Sequence, residues 1–305
     1  MNILRYSAPG RIYISGEHAA VYGKPALVCA IDKRLSVTFT LSKKTVYKDN
    51  IFPILEKSVI DFLQSKKVSF EKKEYAYSVE STIPIGRGLG SSAAYCACIS
   101  AGLLELFTGK EWSKEEVNVC AYQMEKYFHK NSSGVDTSTS VMGGLIYYRK
   151  EFEFLKSISS LAIRIPKKIQ EHLILIDTEK PIETSEEMIR SVGALFNKES
   201  NKTEMIFNKM EKVTKRIVVS FMKEDGAFFR DNIRVSQELL GQIGVVSSKT
   251  NKLLFELTDV GVGKMIGSGY ILFCCGDSNT CKEIFTKKSI LYTSFIPNYR
   301  GLVKG

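Results

Sequence analysis

The run Pro84-Ile85-Gly86-Arg87-Gly88-Leu89-Gly90-Ser91-Ser92-Ala93-Ala94 constrains this chain more than any other. Three glycines at alternate positions give way to two serines and two alanines. An apolar run from Tyr95 to Phe107 follows and reads as a buried helix. Glycine lets a backbone turn tightly and approach a ligand closely. The start of a helix offers unpaired N–H groups and the positive end of its dipole. Together they make an anion site, and a polyphosphate is the anion that suits it best. Gly86-x-Gly88 opens like a dinucleotide fingerprint, but Ser91 stands where the third glycine belongs, and the next acid, Glu105, falls inside the helix pattern. A Walker loop needs Gly-Lys-Ser/Thr, and lysine is missing. The plain alternative is a glycine-rich turn before a core helix. The paired serines speak against it, because a hydroxyl in the first helical turn can ligate Mg²⁺ held by phosphates.

The chain is 305 residues long and 44% hydrophobic, enough for one large or two medium domains with real cores. No apolar run reads as a membrane span, and the first residues lack the apolar region of a signal peptide. The seven cysteines (29, 96, 98, 120, 274, 275, 281) form no Cys-x-x-Cys pair and have no histidine at metal spacing, so reduced thiols in a cytoplasmic protein are expected. Three histidines are too few for a His-rich metal site. The net charge of +10 would suit nucleic acid or an anionic substrate. The lysines, however, are dispersed as pairs such as Lys43-Lys44 and Lys287-Lys288, with no basic run and no aromatic-interleaved RNA motif. They read as a solvated surface, with neither nucleic acid nor membrane as partner.

Alternation predicts strands over 13–15 and 35–40, a further strand at 75–83 leading into the glycine run, and buried strands at 173–177 and 270–275. Amphipathic spacing predicts a helix over 50–66. The capping box Ser113-Lys114-Glu115-Glu116 predicts another from about 114 to 128. Residues 131–148 read as a loop ending in Gly143-Gly144 and a strand. Residues 185–243 read as helical with breaks near 197–201 and 224–226. The composition shift near 155–170 predicts two domains, 1–160 and 161–305.

The tail Gly88-Leu89-Gly90-Ser91-Ser92-Ala93-Ala94 closely resembles the phosphate loop of the GHMP kinases, the small-molecule kinases named for galactose, homoserine, mevalonate and phosphomevalonate. Ala8-Pro9-Gly10-Arg11 through Gly16-Glu17-His18-Ala19-Ala20-Val21-Tyr22-Gly23 resembles the family's first motif in its mevalonate kinase form. Asn131-x-Ser133-Gly134-Val135-Asp136 is similar to its catalytic loop, Thr178 to Thr184 to a short C-terminal motif, and Lys264 to Gly269 to the third glycine-rich motif. Three departures stand out: Arg11 replaces a usual lysine, Ile182 a common arginine, and Tyr270 cuts the third motif short.

The resemblance implies an α/β (α+β) two-domain GHMP kinase fold, with a ribosomal protein S5 domain 2-like N-terminal domain and an α/β-sandwich C-terminal domain. It implies ATP and Mg²⁺ as cofactors, mevalonate as small-molecule substrate, and leaves room for a homodimer. Nucleotide would lie on Gly86, Gly88, Leu89, Gly90, Ser91, Ser92 and Ala93. Mg²⁺ would be held by Ser92 and by Glu125, eleven residues before Asp136. Asp136 would act as base with Arg11 beside it. Glu17, His18 and Thr184 would bind the substrate, whereas His129 and His172 read as structural. Taken alone, Asp136 also reads as an Asx-turn or helix cap, Glu125 as an exposed helix acid, and His18 as a core histidine. Phosphomevalonate or another small alcohol remains an alternative acceptor, and a catalytically silent metabolite-binding relative an alternative of another class.

Overall fold

The structure, a computed structural model, describes residues 3–129, 132–152, 156–178, 185–267 and 269–305. In chain order these form β1 (Ile3–Ser15), β2 (Ala26–Leu41), α1 (Phe52–Ser65), β3 (Tyr75–Ser81), α2 (Ser91–Thr108), α3 (Lys114–Phe128) and α4 (Val135–Met142). Next come β4 (Leu145–Lys150), β5 (Lys156–Leu161), a single turn α5 (Lys167–Gln170), β6 (Leu173–Asp177), α6 (Ser185–Lys198), α7 (Ser200–Met222), α8 (Gly226–Gln242) and α9 (Ser248–Glu256). β7 (Gly261–Ile266), β8 (Tyr270–Cys275), α10 (Ser278–Lys287), β9 (Tyr292–Thr293) and β10 (Val303–Lys304) complete the order.

Two compact units are built from interleaved segments. One holds the residues up to Arg11, Ala30–Gly144 and Asn298–Gly305; the other holds Ile12–Cys29 and Leu145–Pro297. The division expected from composition, 1–160 and 161–305, is sequential, whereas these units are not. The reason is visible in the first unit, where the last residues return to close it. Gly144 donates its N–H to the Asn298 carbonyl at 2.7 Å, Asn298 to Ala30 at 2.8 Å, and Leu302 to Val141 at 3.0 Å. Tyr6 of β1 then pairs with Lys304 of β10.

Within this first unit β3 runs antiparallel to β2, from Leu35 opposite Ser81 to Leu41 opposite Tyr75. α2 is the core helix and packs against α1, α3 and α4. Its sequence has no polar stripe, and Ala93, Ala94, Cys96, Ala97, Cys98, Ile99, Leu103 and Leu104 are all buried. By length and composition α2 could cross a membrane, contrary to the sequence reading, yet 72% of it is buried inside the fold. The Ser113 cap forms as expected, its hydroxyl accepting from the Glu116 N–H at 3.3 Å to start α3, while the Glu116 carboxylate accepts from that hydroxyl at 2.9 Å.

The expected loop over 131–148 instead contains the helix α4. Its residues are poor helix formers, so propensity gave no signal. Burial decides the matter, because Thr137, Ser138, Thr139 and Ser140 are all enclosed. Three of these hydroxyls are satisfied within the helix: Thr137 and Ser138 donate to the Gly134 carbonyl at 3.1 and 2.7 Å and Thr139 to the Val135 carbonyl at 2.8 Å, while that of Ser140 has no partner among the described residues. The second unit carries a four-stranded antiparallel sheet in the order β7-β8-β6-β9. Ile174, Ile176, Ile271, Phe273 and Phe285 form its core. Lys264 to Ile266, the start of the run that resembles the third glycine-rich motif, lie in strand β7 opposite Leu272 to Tyr270 of β8.

At Gly102 α2 packs tightly on β2: an added Cβ would lie 2.2 Å from Cε2 of the Phe39 ring. Helix propensity alone would favour alanine by about 1 kcal/mol, but overpacking costs about 1–3 kcal/mol. Gly102→Ala should therefore lower the urea midpoint, and Phe39→Leu in the same chain should recover part of the loss.

Candidate active site

The glycine run is fastened to β1. Arg11 donates its backbone N–H to the Leu89 carbonyl at 2.9 Å, and a Cβ at Gly10 would lie 2.8 Å from that same oxygen. Gly86, Gly88 and Gly90 all have positive φ, and Gly90 forms the left-handed N-cap of α2. Ser91 and Ser92 are the first residues of the helix and are half-buried, while Leu89 and Ala93 are buried. The N–H groups of this first turn have no helical acceptors, so the turn is electropositive.

Arg11 also joins this loop to α4. Its Nε donates to Oδ1 of Asp136 at 2.8 Å, its second terminal nitrogen donates to Oδ2, and the remaining one donates to the Gly88 carbonyl at 2.5 Å. A guanidinium presents its donors in a planar fork, which matches a carboxylate with two parallel bonds. Asp136 sits in the first turn of α4, where its charge complements the helix dipole. Arg11 is 8% exposed, so the pair is shielded from solvent screening.

Glu125, an exposed acid on one reading of its helix, is 1% exposed on α3 and accepts from the Ser132 hydroxyl at 2.9 Å. One turn later the His129 N–H donates to the Glu125 carbonyl at 2.8 Å, and the His129 ring brings Nε2 to 3.5 Å from the Ser92 hydroxyl. His129 was expected to be structural; the fold sets it beside a candidate ligand-binding serine. A hydroxyl and a carboxylate are hard oxygen donors of the kind Mg²⁺ takes, alongside waters and substrate phosphates. Ser92 and Glu125 each offer a donor of that type.

In the second unit, Glu17 is buried and its Oε1 accepts from the Lys264 ammonium, which is fully enclosed. His18 follows with φ 63 and ψ −40, and the Ala19 N–H reaches back to the Glu17 carbonyl at 2.8 Å. This is a γ-turn in its strained form, centred on a residue that is not glycine. His18 is half-buried as a residue, and its Nδ1 is buried and has no hydrogen-bond partner among the described residues. Burial, with the nearby Lys264 ammonium, pushes the imidazole down to about 4. Burial likewise draws Lys264 below the usual ammonium range, opposed by Glu17.

The family model for the GHMP kinases N terminal domain matches residues 55–144, the stretch that carries the glycine run, Glu125 and Asp136. The mevalonate kinase of Pyrococcus abyssi is 27% identical over 297 residues, covering 86% of this chain and 85% of that protein. Over those residues the chain matches the GHMP kinases N terminal domain, and over most of its length it is similar to mevalonate kinases. Two solved structures share the fold. A Lin0012 protein from Listeria innocua superposes with a TM-score of 0.81 at 19% identity, covering 100% of this chain and 99% of that one. The Methanococcus jannaschii mevalonate kinase superposes at 0.75 with 18% identity, covering 97% and 98%.

Of the residues singled out from the sequence, Arg11 and Asp136 are brought into contact, and the glycine run that opens α2 lies beside them. Thr184, together with Ile182 and Asn131, falls outside the described residues. Lys264 carries a role that the sequence reading missed. Its signal was a lysine just before the apolar pair Met265-Ile266, in a segment weighed only for its glycines.

Two outcomes are expected from this geometry. Gly90 has φ +80, and a Cβ there would lie 2.9 Å from Cγ of Arg11. Gly90→Ala should cost about 1–3 kcal/mol of stability, read from denaturant unfolding, and should weaken nucleotide binding by calorimetry. His18 titrates near 4 in the fold against 6.5 when unperturbed. As pH falls from 6.5 toward 4 the unfolded chain gains a proton that the native state refuses, so stability declines over that window. The difference in melting temperature between His18→Gln and the parent should accordingly change with pH between 7 and 4, the variant losing less.

Proposed function

We propose that this chain is a GHMP kinase that transfers the γ-phosphoryl group of ATP to the 5-hydroxyl of mevalonate, releasing ADP and 5-phosphomevalonate. The observation that carries the reading is the two-pronged Arg11–Asp136 pair beside a glycine run that opens a core helix. Phosphoryl transfer asks for little else: phosphates held in line with the acceptor, their charge neutralised, and a group to receive the alcohol proton. The electropositive start of α2 suits the first demand, and its positive-φ glycines let backbone N–H groups face the phosphates.

In the transfer step a bond forms between the acceptor oxygen and the γ-phosphorus, and the bond from that phosphorus to the β,γ-bridging oxygen breaks. Asp136 takes the alcohol proton. A carboxylate offers about four acceptor positions, and Arg11 uses two. Arg11 stays protonated in any protein site, so it orients Asp136 and faces developing phosphoryl charge without competing as a base. Ser92 and Glu125 would hold Mg²⁺, which supplies charge neutralisation on the phosphates. Glu17 and His18 belong to the acceptor side; Thr184 is assigned there on sequence grounds. The archaeal relative named a mevalonate kinase supports the choice of acceptor.

A coupled ADP-release assay with mevalonate, phosphomevalonate, homoserine and galactose tests the reading directly. Turnover should be fastest by kcat/KM with mevalonate. A preference for another of the four would reassign the acceptor, and no turnover with any would favour a silent relative. Asp136→Asn should lower kcat by roughly 10² or more with ATP affinity retained. Arg11→Met should cost about 3 kcal/mol in kcat/KM, while Arg11→Lys keeps substantial activity. Ser92→Ala and Glu125→Gln should each raise the Mg²⁺ concentration giving half-maximal rate, and the double variant should show coupling rather than additivity.

A further inference from the structure

A lysine enclosed completely in a strand is uncommon, because desolvating an ammonium costs several kcal/mol unless it is paired. Lys264 is 0% exposed, its ammonium binds Oε1 of Glu17, and it lies 3.5 Å from the Tyr13 carbonyl. That commits the Glu17 carboxylate to a counter-ion, so Glu17 is not simply a hydrogen-bonding group awaiting a ligand. The residue after it is the strained one. His18 sits at the centre of the γ-turn closed by Glu17 and Ala19, in a sparsely populated and strained region of φ/ψ. Such a conformation persists only when its surroundings hold it from several sides.

They do so here. On one side, Gly16 has φ +86, and an added Cβ would lie 2.2 Å from the Pro25 carbonyl and 2.6 Å from Cα of Ala26. On the other, Ala19 and Ala20 are buried, and the Tyr22 ring stacks on Phe207 with centroids 4.7 Å apart. The Lys264–Glu17 bond fixes the middle, one residue before His18. The turn so held carries a half-buried histidine whose Nδ1 is enclosed and has no partner among the described residues, a polar atom left for a ligand to satisfy.

We propose that Lys264 is a positioning residue for acceptor binding: its buried ammonium, through Glu17, holds the strained turn that keeps the His18 imidazole set to hydrogen-bond the acceptor. This rests on the reading of Glu17 and His18 as acceptor-side residues. It assigns Glu17 an indirect part, with His18 as the group that touches the ligand. The pair's energy is spent on geometry: a methionine at 264 would fill the same volume without anchoring the turn.

The test uses the full chain with ATP and mevalonate, comparing wild type, Lys264→Met, Glu17→Gln and the double variant. Acceptor KM should rise tenfold or more in each single variant while nucleotide KM stays within twofold. The double variant should lose no more than the worse single one, since both act through one bond. A second readout needs no acceptor. The chain has only three histidines, so the His18 ring is readily assigned by nitrogen-detected NMR; its signals should shift and broaden in Lys264→Met and Glu17→Gln. Unchanged His18 signals and acceptor KM in a folded variant would overturn the proposal. So would a loss shared equally by both substrates, which marks a general structural role. If Lys264→Met does not fold, Glu17→Gln, which keeps the side chain's shape, decides on the same measurements. Failure of wild type to phosphorylate mevalonate would instead strike the reading of the function, and is seen before any variant is made.

Discussion

One guanidinium organises the first unit. Arg11 uses its main chain to hold Leu89, one terminal nitrogen to hold the Gly88 carbonyl, and the rest of its fork to hold Asp136. Three segments far apart in sequence, β1, the glycine run and α4, meet on this one residue. Each contact depends on the others, because the fork is rigid: moving α4 would turn the plane of the guanidinium and break its bond to the loop. The left-handed Gly90 leaves just enough room for the arginine stem to pass. Conformational freedom is thus removed before any ligand arrives, which is what catalysis by positioning requires.

Buried charge is the second theme. Glu125 is enclosed on α3, and Lys264 with Glu17 in the other unit. Replacing such groups with apolar side chains is often neutral or stabilising, so stability alone does not explain them. Each carries a geometric consequence instead. Glu125 holds Ser132, two residues before the left-handed cap of α4. The Lys264–Glu17 bond lies against a backbone turn that is strained on its own. In both places, electrostatic energy maintains an arrangement that local preference would not choose.

Much of this was legible along the chain. The apolar run after Ala94 could only be a core helix, and the Ser113 to Glu116 capping box marked the start of α3 because both partners lie within one turn. The strand from Tyr270 to Cys275 showed in the same way, as a short run of bulky apolar residues. α4 did not show, since its valine, threonine and serine residues favour other conformations when exposed. Only the packing of α2 and α3 around it makes the helix the way to satisfy its buried backbone.

The sequence by itself determined the local chemistry: the glycine run, the helix it opens, the family motifs, and the residues able to take a proton or hold a cation. These follow from short-range pattern, where a side chain and its partner are a few residues apart. Tertiary structure alone decided which of those residues meet. Arg11 finds Asp136 across 125 positions and Lys264 finds Glu17 across 247. The returning segment after Pro297 closes a unit begun at the other end of the chain. No periodicity encodes such pairings, because they arise from how strands and helices pack once formed. The residues were there to read; their partnership is a property of the folded chain.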